Sequence, residues 1–285
     1  MLKKRLIPCL FLKNGHLVRS ERFEFHQLLG DPIHQVDRIN AWSADELIYV
    51  DISNEEYYDL RRDDMRVKRM DDIYDIIAHV SKTCFIPLTF GGNIRTIEDV
   101  RKRLKCGADK VIIDTRAHER PEFITEAAER FGSQCIVMGI DVKKEQDGAY
   151  QVYSHHGKTA TGKNPVDWAR EVEKLGAGEI FLNSIDRDGA QEGYDITLIK
   201  MVAAAVKIPL IACGGAGTFE DLVECVEEGG ADAVAAGNIF NYTENAVLRA
   251  KKTLIQHGVE MRPIVRPPTL FKSQDHILEG YIKNI

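Results

Sequence analysis

Carboxylates that close apolar runs are the first residues in this chain with chemistry to offer. Asp141 follows Val137-Met138-Gly139-Ile140, and Asp51, Asp114, Asp186 and Asp188 end comparable runs. A carboxylate in that position either faces a ligand for acid–base work or caps the following helix. Asp141 is the best candidate for the acid–base role. Two Gly-Gly pairs, Gly91-Gly92 and Gly214-Gly215, also follow apolar runs. Glycine lets backbone N–H groups approach an anion closely, so a pair repeated in equivalent surroundings points to two phosphate sites. Gly189, in the charged stretch Asp186-Arg187-Asp188-Gly189, can turn toward one of them. A third group opens apolar runs: Arg5, Glu46, Lys110 and Glu179. Pointing inward, two cations and two anions would have to pair, because a lone buried charge costs several kcal/mol. Pointing outward, they are solvated strand starts, and the pattern alone leaves both open. His155-His156 has no third ligand at metal spacing and reads as a polar loop. No metal or cofactor is expected.

These residues need a scaffold that brings strand ends together. Strands are expected at 5–11, 46–52, 85–90, 109–114, 134–140, 179–184, 208–213 and 232–236. Helical patterns lie near 31–42, 71–82, 96–105, 121–131, 165–175, 195–205, 219–228 and 243–257. Near-continuous apolar strands alternating with helices indicate a parallel sheet covered on its outer face. Eight units in roughly 250 residues match an α/β (β/α)8 TIM barrel, whose ligand site forms at the C-terminal ends of the strands. An internal repeat supports this. Ile86-Pro87-Leu88 returns 122 residues later as Ile208-Pro209-Leu210, and Gly107-Ala108-Asp109 returns as Gly230-Ala231-Asp232. Two half-barrels of four units each follow.

The 285 residues are 44% hydrophobic and 29% charged with net charge −6, an ordinary globular composition that excludes disordered and disulfide-scaffold classes. No basic excess favours nucleic acid. No apolar run reaches the roughly 18 residues of a membrane span, and the six cysteines form no C-x-x-C pair. A cytoplasmic protein is expected. Trp42 and Trp168 read as packing residues. The barrel is expected over 1–258, with a charged insertion at 53–70 and a C-terminal extension at 259–285. The insertion either covers a ligand or meets a partner, or is a solvated loop.

Several collinear segments carry a resemblance over roughly residues 1–258. They include Leu6-Ile7-Pro8-Cys9-Leu10, Ala44-Asp45-Glu46-Leu47, Gly107-Ala108-Asp109-Lys110-Val111, Gly176-Ala177-Gly178-Glu179-Ile180, Ser184-Ile185-Asp186-Arg187-Asp188-Gly189 and Gly193-Tyr194-Asp195. The chain resembles the cyclase subunit of imidazole glycerol phosphate synthase. The resemblance implies a barrel whose floor docks on a glutaminase and whose interior carries ammonia to a substrate at the mouth. Arg5, Glu46, Lys110 and Glu179 match the family's ammonia gate. Thr115, Asp188, Gly189, Gly237 and Asn238 join the Gly-Gly pairs as substrate- and phosphate-binding candidates.

The departures are specific. Phe11 occupies the position of one of the family's two catalytic aspartates, and Asp141 matches the other. Phenylalanine exchanges no proton, so that acid–base pair is broken. Asn93 replaces a third glycine, Asp114 stands where the family has asparagine, and Gly237 replaces a serine. The pattern is most similar to paralogues associated with N-acetyl sugar amidation in lipopolysaccharide and O-antigen biosynthesis. That similarity implies ammonia supply to a separate sugar amidotransferase, with a phosphorylated or nucleotide-sugar ligand. The alternatives are a working cyclase of histidine biosynthesis and a non-catalytic activator of the glutaminase.

Overall fold

The computed structural model describes residues 3–53, 58, 70, 72–241 and 244–264. The chain begins with β1 (Arg5–Lys13), an antiparallel pair β2 (His16–Glu21) and β3 (Phe25–Gly30), α1 (Pro32–Ala41) and β4 (Leu47–Asp51). It continues through α2 (Ile73–Thr83), β5 (Leu88–Gly91), α3 (Ile97–Cys106), β6 (Lys110–Ile113), α4 (Thr115–Glu119) and α5 (Glu122–Phe131). The second half holds β7 (Ile136–Lys144), β8 (Tyr150–Ser154), β9 (Thr159–Ala160), α6 (Pro165–Lys174) and β10 (Glu179–Ser184). It ends with α7 (Ile196–Ala203), β11 (Leu210–Cys213), α8 (Phe219–Glu227), β12 (Ala233–Ala236) and α9 (Ala246–Gln256).

Parallel pairing runs β1–β4–β5–β6–β7–β10–β11–β12, and β12 pairs back to β1. The eight strands therefore close a TIM barrel, as the alternation of apolar runs and helices predicts. Alternate residues divide its two surfaces. Ile7, Ile48, Ile112, Val137, Phe181 and Ile211 fill the interior. Leu6, Leu47, Val111 and Ile180 face the helices, where Val36, Ile77, Val100 and Leu254 meet them. Strands β5 and β11 start later than expected, at Leu88 and Leu210. Pro87 and Pro209 precede them, and proline has no N–H for the ladder. Their carbonyls still accept from Leu47 N and Ile180 N.

The internal repeat is visible in hydrogen bonds. Thr96 with Asp99 and Thr218 with Asp221 form capping boxes on α3 and α8. Asp109 accepts from Leu88 N and Asp232 from Leu210 N, each tying one strand start to the next. All six cysteines are free thiols. Trp168 is buried, and Trp42 is buried at the end of α1.

Two hairpins depart from the simple alternation, and both sit at the mouth. Asn14-Gly15 has positive φ at both residues (50° and 77°), the two-residue turn whose twist suits a hairpin, and it folds β2 back on β1. The second hairpin continues β7 into β8 and β9. At the other end, Glu260 O accepts from Lys4 N, laying the chain after α9 across the start of β1. Most of the 53–70 insertion, including Tyr57, Arg61 and Arg62, lies outside the described residues, as does the extension beyond 264. Among the described residues no helix is long and apolar enough to cross a membrane.

Candidate functional site

Arg5, Glu46, Lys110 and Glu179 point inward and form a closed ring at the barrel floor. Arg5 Nη1 donates to Glu46 Oε1 and Glu179 Oε1, both at 2.9 Å. Lys110 Nζ donates to Glu46 Oε2 and Glu179 Oε2, both at 3.0 Å. Each carboxylate bridges both cations, which is how four charges share a largely buried layer. Burial pushes the Glu46 carboxyl up, but Arg5 and Lys110 outweigh it and hold the group below its ordinary value. Beneath the ring, Asp45 accepts from Lys251 at 2.6 Å and from Leu6 N at 2.8 Å, fastening α9 to β1.

The mouth has a different character. A cavity of about 450 Å³ opens there, within the range of small-molecule sites. Phe11, Ile112 and Phe181 form apolar wall, and Asp51, Asp114 and Asp141 supply carboxylates. The contacts that hold these acids are mainly neutral groups. Asp51 accepts from Ser53 Oγ at 2.5 Å and Tyr58 Oη at 3.2 Å. Asp141 faces the Asn183 amide. Burial raises the Asp141 carboxyl well above its ordinary range, and the charges of Asp114 and Asp188 push the same way. Asp186 is turned outward and accepts from Lys144 N at 2.7 Å.

The two Gly-Gly pairs lie at equivalent strand ends but in different surroundings. Gly92 has φ +90°, and a Cβ there would fall 1.9 Å from Asp51 O, so only glycine fits. Asn93, in place of a third glycine, keeps φ at 52°, a left-handed conformation asparagine tolerates. Arg103 holds this loop from behind, donating to Gly92 O at 2.8 Å. Gly92 and Asn93 line the cavity, with Thr115 nearby. Gly215 is also at positive φ, packed against Gly193 O. The β2–β3 hairpin covers that side. Asn238 donates to Ser20 O at 2.8 Å, and Gly189 packs against the same carbonyl. Asp188 accepts from Ser20 Oγ at 2.6 Å, anchoring the hairpin. Gly214, Gly215, Gly237 and Asn238 therefore lie outside the wall of the open cavity.

Sequence reasoning missed the residues the hairpins bring in. His26, from β3, and His155 and His156, from the β8–β9 turn, line the cavity. So do Lys13, Phe23 and Lys158. Burial, followed by neighbouring lysines, lowers His26 and His156 from an imidazole's ordinary value and so favours the neutral ring in both. The signals were present: Asn14-Gly15 midway between Phe11-Leu12 and Leu17-Val18, and Asp147-Gly148 before the alternating Tyr150-Gln151-Val152-Tyr153.

Fold and site define a (β/α)8-barrel protein with a ligand cavity at the strand ends and a paired charge ring at the opposite end. The model of the family described as histidine biosynthesis protein matches residues 5–246. The imidazole glycerol phosphate synthase subunit HisF of Alkaliphilus metalliredigens (strain QYMF) is 43% identical over 264 residues, 92% of this chain and 100% of the relative. The chain belongs to the histidine biosynthesis protein family and is HisF-like within it.

Proposed function

We propose that this chain accepts ammonia from a glutaminase subunit docked at the barrel floor and conducts it to the mouth. There it serves amidination of an N-acetyl sugar rather than closure of an imidazole ring. One observation carries the reading: the floor ring is complete, while Phe11 stands where ring-closing chemistry needs a second carboxylate. The interior between ring and mouth is filled by Ile7, Ile48, Val137 and Ile211, an apolar layer that in this reading admits neutral ammonia in preference to ammonium. Of the phosphate candidates, Gly92 and Thr115 belong to the open cavity, where a phosphorylated or nucleotide-linked sugar fits the proposed ligand class. In this reading Asp141 is the catalytic group that remains.

A cyclase of histidine biosynthesis is the second reading, favoured by 43% identity across the whole of a HisF relative. One pair of assays separates them. The chain with ammonium salt and the cyclase substrate should give no turnover. With its glutaminase and a sugar amidotransferase, nitrogen from [amide-15N]glutamine should enter the acetamidino product, and Lys110→Ala should abolish that transfer. Cyclase turnover at an ordinary rate, lost in Asp141→Asn, would overturn the amidination reading.

A further inference from the structure

The loss of a carboxylate at position 11 coincides with the gain of one on another strand. Asp114 directly follows β6, and the pairing of Ile113 with Met138 puts it beside Gly139 on β7, two residues from Asp141 on the same face. Gly139 leaves the space between them open, since a Cβ there would lie 3.2 Å from Asp114 Cβ and 3.1 Å from Ile112 Cγ2. Asp114 occupies the N-cap of α4, yet its side chain makes no capping hydrogen bond. Behind it, His118 Nε2 lies 3.3 Å from Asp114 Oδ1 without hydrogen-bond alignment. The imidazole is only 6% exposed, is stacked on Trp168 at 4.8 Å, and has neither ring nitrogen otherwise partnered. On the far side of Asp141, Asn183 is 2% exposed and lines the cavity with its Oδ1 unpartnered. Buried groups left in this condition mark a place where a ligand completes the hydrogen bonding.

We propose that Asp114 and Asp141, on neighbouring strands, form the acid–base pair of this mouth, with His118 as the positioning residue behind Asp114. The proposal deepens the ammonia-transfer reading and rests on it for the ligand class, a nitrogen carrying N–H groups: ammonium, a protonated amine or an amidine. Register puts the two carboxyls on one face of neighbouring strands, where the charge of Asp114 favours the protonated form of Asp141. The ionised carboxylate takes a proton from nitrogen that has become ammonium at the mouth and so restores the neutral form delivered there; the N–H bond breaks, the O–H bond forms, and the lone pair stays on nitrogen as the nucleophile. Asn183 Oδ1 accepts a remaining N–H. The charged and titratable groups around the pair include Asp188 beyond β10, His118 on α4 and His156 from the β8–β9 turn, and Lys13, His26, Asp51, Glu119, His155 and Lys158 line the same cavity.

The test reads the carboxyls directly. The full chain, labelled with [4-13C]aspartate, is titrated by NMR with methylammonium as the amine probe. Asp114→Asn should weaken proton binding at Asp141 by about tenfold or more. His118→Phe, which keeps the stack on Trp168, should shift Asp141 in the same direction to a smaller extent. Methylammonium should perturb Asp141 in the parent and not in Asp114→Asn. An Asp141 titration indifferent to Asp114→Asn, in a variant with an unchanged thermal melt, would overturn the pairing. If Asp114→Asn does not fold, Asp114→Ser provides the same reading. Intact coupling together with failed 15N transfer would sink the amidination reading while leaving the pair standing.

Discussion

The floor and the mouth of this barrel solve opposite electrostatic problems. At the floor, two cations and two anions are matched, and every carboxylate oxygen of the ring meets a cation at 2.9–3.0 Å. At the mouth, Asp51, Asp141 and Asp188 are held by hydroxyl and amide groups, and burial raises all three. A matched buried ring is structurally self-sufficient and opens only if something rearranges it. An unmatched set of acids is poised to take a proton or an N–H donor. In the proposed reading, the difference gives containment to one end of the barrel and chemistry to the other.

The largest expected effect comes from unbalancing the floor. Glu46→Ala removes one partner from both Arg5 and Lys110 and should destabilise the chain by about 3 kcal/mol, read by urea denaturation. Stability unchanged by that substitution would mean the ring is solvated and the contrast false. Next comes the pocket side. Ser20→Ala removes a hydroxyl from the buried Asp188 carboxylate and should cost about 2 kcal/mol, visible as faster amide exchange in β2 and β3. Protection equal to that of the parent would show that the hairpin is held by something else.

Asp141→Asn should act with the opposite sign. Removing a desolvated charge should stabilise the chain at pH 7 by on the order of 1 kcal/mol, with the gain disappearing on acidification. The pH dependence follows the same division. Glu46 is lowered in the folded state, so its contribution is present above the unfolded value and is lost as pH falls through the folded one. Asp51, Asp141 and Asp188 are raised, so their ionised forms cost stability at neutral pH and that cost is relieved as pH falls through the raised values. Thermal melts should therefore show maximum stability on the acid side of neutrality, with a loss at still lower pH as Glu46 is protonated. The smallest effect is at Arg262, whose Nη2 reaches Glu46 at 3.6 Å with the side chain 44% exposed. Arg262→Ala should change stability by less than about 1 kcal/mol.

Much of this was legible in the residues. The alternation of apolar runs and helical patterns, reinforced by the repeat, specified the barrel because both faces of a parallel sheet must be buried. The same order placed Asp141 and the Gly-Gly pairs at one end and Arg5, Glu46, Lys110 and Glu179 at the other, since all eight strands run in one direction. Whether those four charges faced inward was not decided by periodicity. A strand start is ambiguous by one residue, and one residue reverses the face.

Tertiary structure alone decided the rest. The β2–β3 hairpin lies on Gly189 and Asn238, making two similar glycine pairs into one open wall and one covered side. His26 and His156 are far apart in sequence, and only hairpin closure puts both on one cavity. The neighbourhood of Asp114 and Asp141 depends on strand register and on the missing side chain at Gly139. Local pattern sets which residues end a strand. Which of them stand side by side, and what lies over them, is set by packing between segments that share no local signal.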